Sequence, residues 1–294
     1  MNQSVMLQVK KLQQTFQISK NFTVNAVNNI SFHINKGEIF GLVGETGCGK
    51  STTARTIMGV NKLTGGEIFF KGKKISDPRV YRENKKDIQK NMQIIFQDSA
   101  AALNPKMSVR DIIAEPFETH KIITNKSELD KKIDELLEIV GLDKTYKSKL
   151  PGEISGGQRQ RVAIARSIGV EPDFIIADEP IASLDISIQA QIINLFKKLQ
   201  IEYGFTFLFI AHDLSIVRFL TDRVGVMLNG KIVEMGETEE VFSNPIHEYT
   251  KSLISAIPIP DPIYEKNKKI LEYKPKPLEK NKLEEVLPDH FVLR

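Results

Sequence analysis

The stretch GETGCGKST, made of Gly44, Glu45, Thr46, Gly47, Cys48, Gly49, Lys50, Ser51 and Thr52, has the spacing G-x-x-x-x-G-K-[ST]. Glycines there let the backbone curl so that bare N–H groups face a β-phosphate. Lys50 then reaches the β and γ oxygens, and the Ser51 hydroxyl can ligate Mg2+. Cys48 occupies a free position of the pattern and reads as a small filler. Further on, FIIADEP (174–180) is an apolar run ending in two carboxylates. The carboxyl end of a parallel strand opens on the ligand crevice of an α/β sheet. Asp178 is placed to hold Mg2+ through water, and Glu179 to polarise an attacking water as general base.

Two more apolar runs end in polar residues, NMQIIFQ at Gln97 and TFLFIAH at His212. Taken alone, each is an ordinary strand terminus. On strands beside the first two, a glutamine would contact Mg2+ or the attacking water, and a histidine the γ-phosphate. A second glycine turn, ISGGQ (154–158), runs into the basic stretch RQRVAIARS. Glycine turns at helix starts bind phosphate because unpaired N–H groups and the positive end of the helix dipole converge there. This one carries no lysine. Arg159, Arg161 and Arg166 read as a solvated or phosphate-facing helix surface.

These residues need elements to hold them. EIFGLV (38–43), NMQIIF (91–96), FIIA (174–177) and TFLFIA (206–211) read as buried strands alternating with helical patterns, the mark of an α/β chain with a mostly parallel sheet. STTARTIM supplies the helix after the first turn. Asn229-Gly230 predicts a two-residue hairpin and hence a small antiparallel part. SELDKKIDELLEIVG (127–141) is a helix whose Leu129, Ile133, Leu136, Leu137 and Val140 share one face. Ser127 and Asp130 form its expected capping box, and Gly141 its stop. A helical stretch over about 98–167 is expected as a subdomain inserted in the α/β core. From 258 to 294 the chain turns Pro- and Lys-rich, an extension that hugs the surface or moves, with EEVLPDHFVLR docking its apolar residues.

With 294 residues, 41% of them hydrophobic, there is material for a large core. A net charge of +4 is too slight to argue for nucleic acid. One cysteine excludes an internal disulfide and fits a reducing compartment. The N-terminus lacks an apolar run of signal-peptide length, and no run is long enough to cross a bilayer. A cytoplasmic protein whose membrane role passes through partners is the expectation.

The order GETGCGKST, Gln97, ISGGQ, FIIADEP, SLD (183–185) and His212 resembles the ATP-binding subunit of ABC transporters, over nearly the whole chain to about residue 260. The resemblance implies a P-loop ABC ATPase fold with a RecA-like core, spanning 1–257. It implies ATP and Mg2+ as ligands, the metal held through Ser51, Gln97 and Asp178. Glu179, Gln97 and His212 serve hydrolysis. In such ATPases two domains pair head to tail, so Ser155, Gly156, Gly157 and Gln158 would cap the γ-phosphate held by the partner's loop. That explains a second turn without a lysine. Phe16 matches the aromatic that stacks on adenine, with Phe22 as its rival, and Asp185 the aspartate that links the two composite sites. Ile154 replaces the usual leucine, and Ala182-Ser183 stands where Ser-Ala is usual.

QDSAAALNP (97–105), DISIQAQIINLFKKLQ (185–200) and NPIHEYTKSLISAIPIPDP (244–262) are similar to the oligopeptide and dipeptide importer subfamily, most like the second of its two ATPase subunits. That implies a paralogous ATPase in a heterodimer, two transmembrane permeases and an extracytoplasmic solute-binding protein. The place of work would be the cytoplasmic face of the membrane, as a peripheral subunit. No cysteine follows Cys48, so the iron–sulfur cluster of some relatives is not expected. Nickel or metallophore import is the alternative. A non-transport ABC ATPase fits less well, since the chain has neither a long coiled-coil insertion nor a second cassette.

Overall fold

A computed structural model describes residues 4–258, 268–275 and 282–294. In chain order the first elements are β1 (Val5–Ser19), β2 (Phe22–Asn35), β3 (Ile39–Val43), α1 (Lys50–Ile57), β4 (Gly65–Phe70) and β5 (Lys73–Lys74). Next come α2 (Pro78–Asn91), β6 (Met92–Ile95), α3 (Ser99–Ala102), α4 (Val109–His120), α5 (Lys126–Ile139), α6 (Gly156–Gly169) and β7 (Phe174–Asp178). Then follow α7 (Ile186–Tyr203), β8 (Thr206–Ala211), α8 (Leu214–Leu220), β9 (Arg223–Leu228) and β10 (Lys231–Glu237). The last are α9 (Thr238–Ser243), α10 (Glu248–Ser255), β11 (Leu283–Leu287) and β12 (His290–Leu293). The chain divides into two compact units. One is Lys73–Leu208 with the segment up to Met6 and Asn35–Gly37; the other is Leu7–Ile34, Glu38–Gly72 and Phe209–Arg294.

In the first unit β6 and β7 pair in parallel, Met92 opposite Phe174 through Ile95 opposite Ala177. All residues of β7 are buried, which a strand covered on both faces requires. Between these strands every regular element is helical. Helices α4, α5 and α6 pack on one another, and Ile112, Ile113 and Phe117 of α4, Ile133, Leu136 and Leu137 of α5, and Val162, Ile164 and Ile168 of α6 are buried. Gly169 permits the close approach, since a Cβ there would lie 3.0 Å from the Phe117 ring and 3.2 Å from Leu136.

The cap of α5 differs from the expected one. Asn125 is the N-cap, its side chain accepting from the amides of Ser127 (2.9 Å) and Glu128 (3.3 Å). Asn125 takes the role because an amide oxygen two residues upstream already reaches both orphan donors. Asp130 instead receives the Arg110 guanidinium, Nε to Oδ1 at 2.8 Å. The stop falls as expected, Gly141 taking φ +70.

In the second unit β3 pairs in parallel with β9, and β10 antiparallel with β9. Asn229 and Gly230 both have positive φ, 46° and 79°, as a two-residue hairpin turn requires. The last residues of the chain add a further hairpin. β12 pairs antiparallel with β10 and with β11, and Val292 and Leu293 are buried. A smaller sheet sets β2, β1 and β4 side by side, β1 antiparallel to β4. The intervening Pro- and Lys-rich residues 259–267 and 276–281 lie outside the described residues. Among the described residues no helix is long and apolar enough to cross a membrane.

Candidate nucleotide site

The glycine loop follows β3, all five of whose residues are buried, and ends where α1 begins. Gly44, Gly47 and Gly49 take φ of +147°, +86° and +109°. Two of them also lack room for a side chain. A Cβ at Gly44 would lie 2.1 Å from the Met227 carbonyl oxygen, and one at Gly49 2.2 Å from that of Ala26. Around Gly47 there is open space. Gly49 is the N-cap of α1 and offers no side chain, and no acidic residue occupies the helix's first turn. The dipole's positive end therefore meets no competing carboxylate in the helix's first turn, and positive charge there suits a phosphate.

Lys50 is only 4% exposed, and its ammonium donates to the carbonyls of Gly44 (2.7 Å) and Glu45 (3.0 Å). Cys48 is buried with its sulfur 3.8 Å from that ammonium. Burial pushes its thiol pKa up, against the opposing pull of Lys50's charge, so it stays a neutral filler. Glu45, Thr46 and Gly47 are exposed, while Ser51 and Thr52 are half-buried at the start of α1. Two supports of this loop escaped the sequence reading. The Gly230 amide of the β9–β10 turn donates to the Cys48 carbonyl at 2.9 Å. The Tyr249 hydroxyl of α10 accepts from the Glu45 amide at 3.2 Å. Neither is tied to the loop by any spacing in the chain.

His212 is exposed at the end of β8; Phe16 is half-buried on β1, and Phe22 is 58% exposed at the start of β2. These belong, with the loop, to the second unit. The other candidates belong to the first. Asp178 closes β7 and is 2% exposed, and Glu179 follows it with φ 46°. A left-handed glutamate stores strain, and such residues concentrate where a side chain must be aimed. Gln97 meets it, Nε2 donating to Glu179 Oε2 at 3.2 Å.

Ser155 and Gln158 form a reciprocal cap on α6. The Gln158 amide donates to Ser155 Oγ (3.3 Å), and the Ser155 amide to Gln158 Oε1 (2.8 Å). Tyr146 Oη also receives Gln158 Nε2 at 2.7 Å. Gly156 has room for a Cβ, but at Gly157 one would stand 2.5 Å from Ile188 Cγ2 of α7. Asp185, exposed, is the N-cap of α7 without a side-chain cap bond. The paired glycines therefore differ in kind, the second letting two helices touch.

The three arginines of α6 are not a solvated face. Arg159 donates to the carbonyls of Pro151 (3.1 Å) and Ile154 (2.6 Å), and Arg166 to that of Ala102 (3.0 Å). Arg161 donates to the Val140 carbonyl and, at 2.8 Å, to Gln191 Oε1. Burial lowers the pKa of Arg161 and Arg166. Their forks satisfy backbone acceptors at the ends of neighbouring segments, a task suited to five fixed N–H donors.

A glycine cradle before a helix, and a strand ending in paired carboxylates, define a nucleotide-hydrolysing cassette. The family described as ABC transporter matches residues 27–182, and that described as "Oligopeptide/dipeptide transporter, C-terminal region" matches 233–282. The chain belongs to the ABC transporter family. It is 51% identical to the oligopeptide transport ATP-binding protein OppF of Bacillus subtilis (strain 168), over 98% of this chain and 95% of the relative. It is 46% identical to the dipeptide transport ATP-binding protein DppF of Lactococcus lactis subsp. cremoris (strain MG1363), over 97% and 93%. Among solved structures, a dimeric ATP-binding cassette in a post-hydrolysis state with ADP and Pi matches with TM-score 0.72 and 28% identity, covering 79% of this chain and 99% of that one. CbiO1 of Clostridium perfringens, part of an ABC transporter complex, matches with TM-score 0.70 and 30% identity, over 82% and 92%. The protein is thus an ABC-transporter ATPase that uses ATP for transport.

Proposed function

We propose that this chain powers uptake of oligopeptides or dipeptides, pairing head to tail with a paralogous ATPase at the cytoplasmic face of the membrane. The pair drives two transmembrane permeases fed by an extracytoplasmic solute-binding protein. The observation that carries the reading is the loop 44–52, whose Gly44 and Gly49 are backed onto carbonyls and lead into α1 with no side-chain cap and no carboxylate in its first turn. The C-terminal match over 233–282, and the likeness to oligopeptide and dipeptide transport ATP-binding proteins, support peptides as cargo.

In this reading the amides of 47–51 and the Lys50 ammonium hold the β- and γ-phosphates of ATP, and Phe16 stacks on the base. Glu179 takes the proton of the attacking water, held in aim by its strained backbone and its bond from Gln97. His212 contacts the γ-phosphate, as the sequence order implies. Bound Mg2+ would neutralise phosphate charge, with Ser51, Gln97 and Asp178 as its holders. The turn Ser155–Gln158 closes the site of the opposite ATPase, and Asp185 links the two. ATP thereby holds the dimer together, and hydrolysis releases it.

The test is uptake of labelled oligopeptides and of nickel, in cells lacking this chain and complemented with wild type or Glu179→Gln. Peptide uptake that only wild type restores is the expected outcome. Intact peptide uptake with lost nickel uptake would move the cargo to the metal. Normal uptake with Glu179→Gln would remove the general-base role.

A further inference from the structure

Tyr249 stands on α10, far along the chain from the phosphate loop, yet it is 1% exposed and bonded to that loop. The bond falls on a particular peptide unit. The carbonyl of Gly44 and the amide N–H of Glu45 belong to one planar group, pointing in opposite directions. Lys50 Nζ donates to the carbonyl end at 2.7 Å, and the N–H end donates to Tyr249 Oη at 3.2 Å. Rotating that plane breaks both bonds together. Gly44, at φ +147° and with no Cβ, offers little resistance of its own to such rotation.

We infer that Tyr249 is a positioning residue for ATP binding: it orients the Gly44–Glu45 peptide plane and so holds the Lys50 ammonium in place. The inference rests on the reading of loop 44–52 as the phosphate cradle.

Tyr249 is itself fixed from several sides. The Tyr273 ring packs edge-on against it, centroids 5.3 Å apart, and its own amide donates to His247 Nδ1 at 3.1 Å. The amides of Ile246 and His247 donate to Glu234 Oε1 (2.8 Å) and Oε2 (3.0 Å). Glu234 is wholly buried and also meets His290 Nε2 of β12 at 2.8 Å. Residues of β10 and β12 therefore set where α10 starts, and α10 sets the phenol. Burial raises the phenol's pKa to about 12, so it meets the loop as a neutral hydroxyl throughout the physiological range.

Tyr249→Phe keeps the ring and removes only the hydroxyl that accepts from the Glu45 amide. In the full chain, the KM for ATP should rise five- to tenfold while kcat changes less than twofold. Deuterium uptake should rise in the peptide over 38–48 and stay unchanged over α10. A purely structural tyrosine would lower the melting temperature and the active fraction, hence kcat, with KM and loop exchange unmoved; that result overturns the inference. Should Tyr249→Phe not fold, exchange in the wild-type protein decides. A protected Glu45 amide supports the inference, and one exchanging as freely as an open loop amide overturns it. Lys50→Ala, run alongside, separates the two claims. Normal ATP binding by Lys50→Ala sinks the cradle reading itself, whatever Tyr249→Phe does.

Discussion

The glycines of the phosphate loop are alike in sequence and unlike in surroundings. Gly47 faces open space, so an alanine there meets only the cost of a left-handed backbone, about 1–2 kcal/mol. Gly49 carries the same conformational burden, and a Cβ would also overlap the Ala26 carbonyl at 2.2 Å. That oxygen belongs to the backbone of β2 and has no rotamer by which to move aside. Gly49→Ala should therefore lose ATP binding by well over tenfold, whereas Gly47→Ala keeps most of it; titration with a fluorescent ATP analogue measures both. Equal losses would mean that conformation alone governs the loop. The pattern G-x-x-x-x-G-K-[ST] made the loop legible, but not which glycine is pinned. The pinning atoms come from Ala26 and Met227, residues remote in the chain.

Elements were legible to the extent that their signals are local. The Asn229-Gly230 turn and the apolar runs of β3, β6, β7 and β8 need only neighbours a few residues away, and all stand where their patterns put them. Helix starts were less so. Two side chains near the start of α5 can cap it, and the choice of Asn125 over Ser127 depends on φ/ψ values that the sequence does not announce. Asn125→Ala should cost about 1 kcal/mol, or about 2–4 °C in melting temperature, and Ser127→Ala much less. Reversal of that order in thermal melts would restore the other cap. The arginines of α6 show the opposite limit. A basic stretch looks solvated until the carbonyls of Ala102, Val140, Pro151 and Ile154 come within reach of it.

At the scale of the whole molecule, the two glycine turns have different owners in the proposed cycle. The loop 44–52 serves this chain's own nucleotide, and the turn at Ser155 serves its partner's. Ser155 is exposed and caps α6, so replacement by alanine or arginine loses the cap, worth about 1 kcal/mol. Ser155→Ala should show that loss with a partial weakening of ATP-driven pairing. Ser155→Arg should show it together with failure of ATP-driven pairing, while the chain's own ATP affinity stays near wild type. Dimer mass and ATP affinity, measured side by side with the paralogous subunit present, check this. A large fall in intrinsic affinity with Ser155→Arg would place the turn at this chain's own site.

The amino-acid sequence by itself determined the glycine loop between β3 and α1, the carboxylates at the end of β7, the hairpin at Asn229-Gly230 and the family order of motifs. Each is written in residues close together in the chain or in a fixed succession. Only the tertiary structure decided what supports them. The Gln97–Glu179 bond, the Ile188 contact that demands Gly157, the Gly230 and Tyr249 bonds to the loop, and the buried Glu234–His290 pair all join distant residues. Hydrogen bonds and excluded volume act over a few ångströms, so partners far apart in the chain leave no spacing to read until folding brings them into contact.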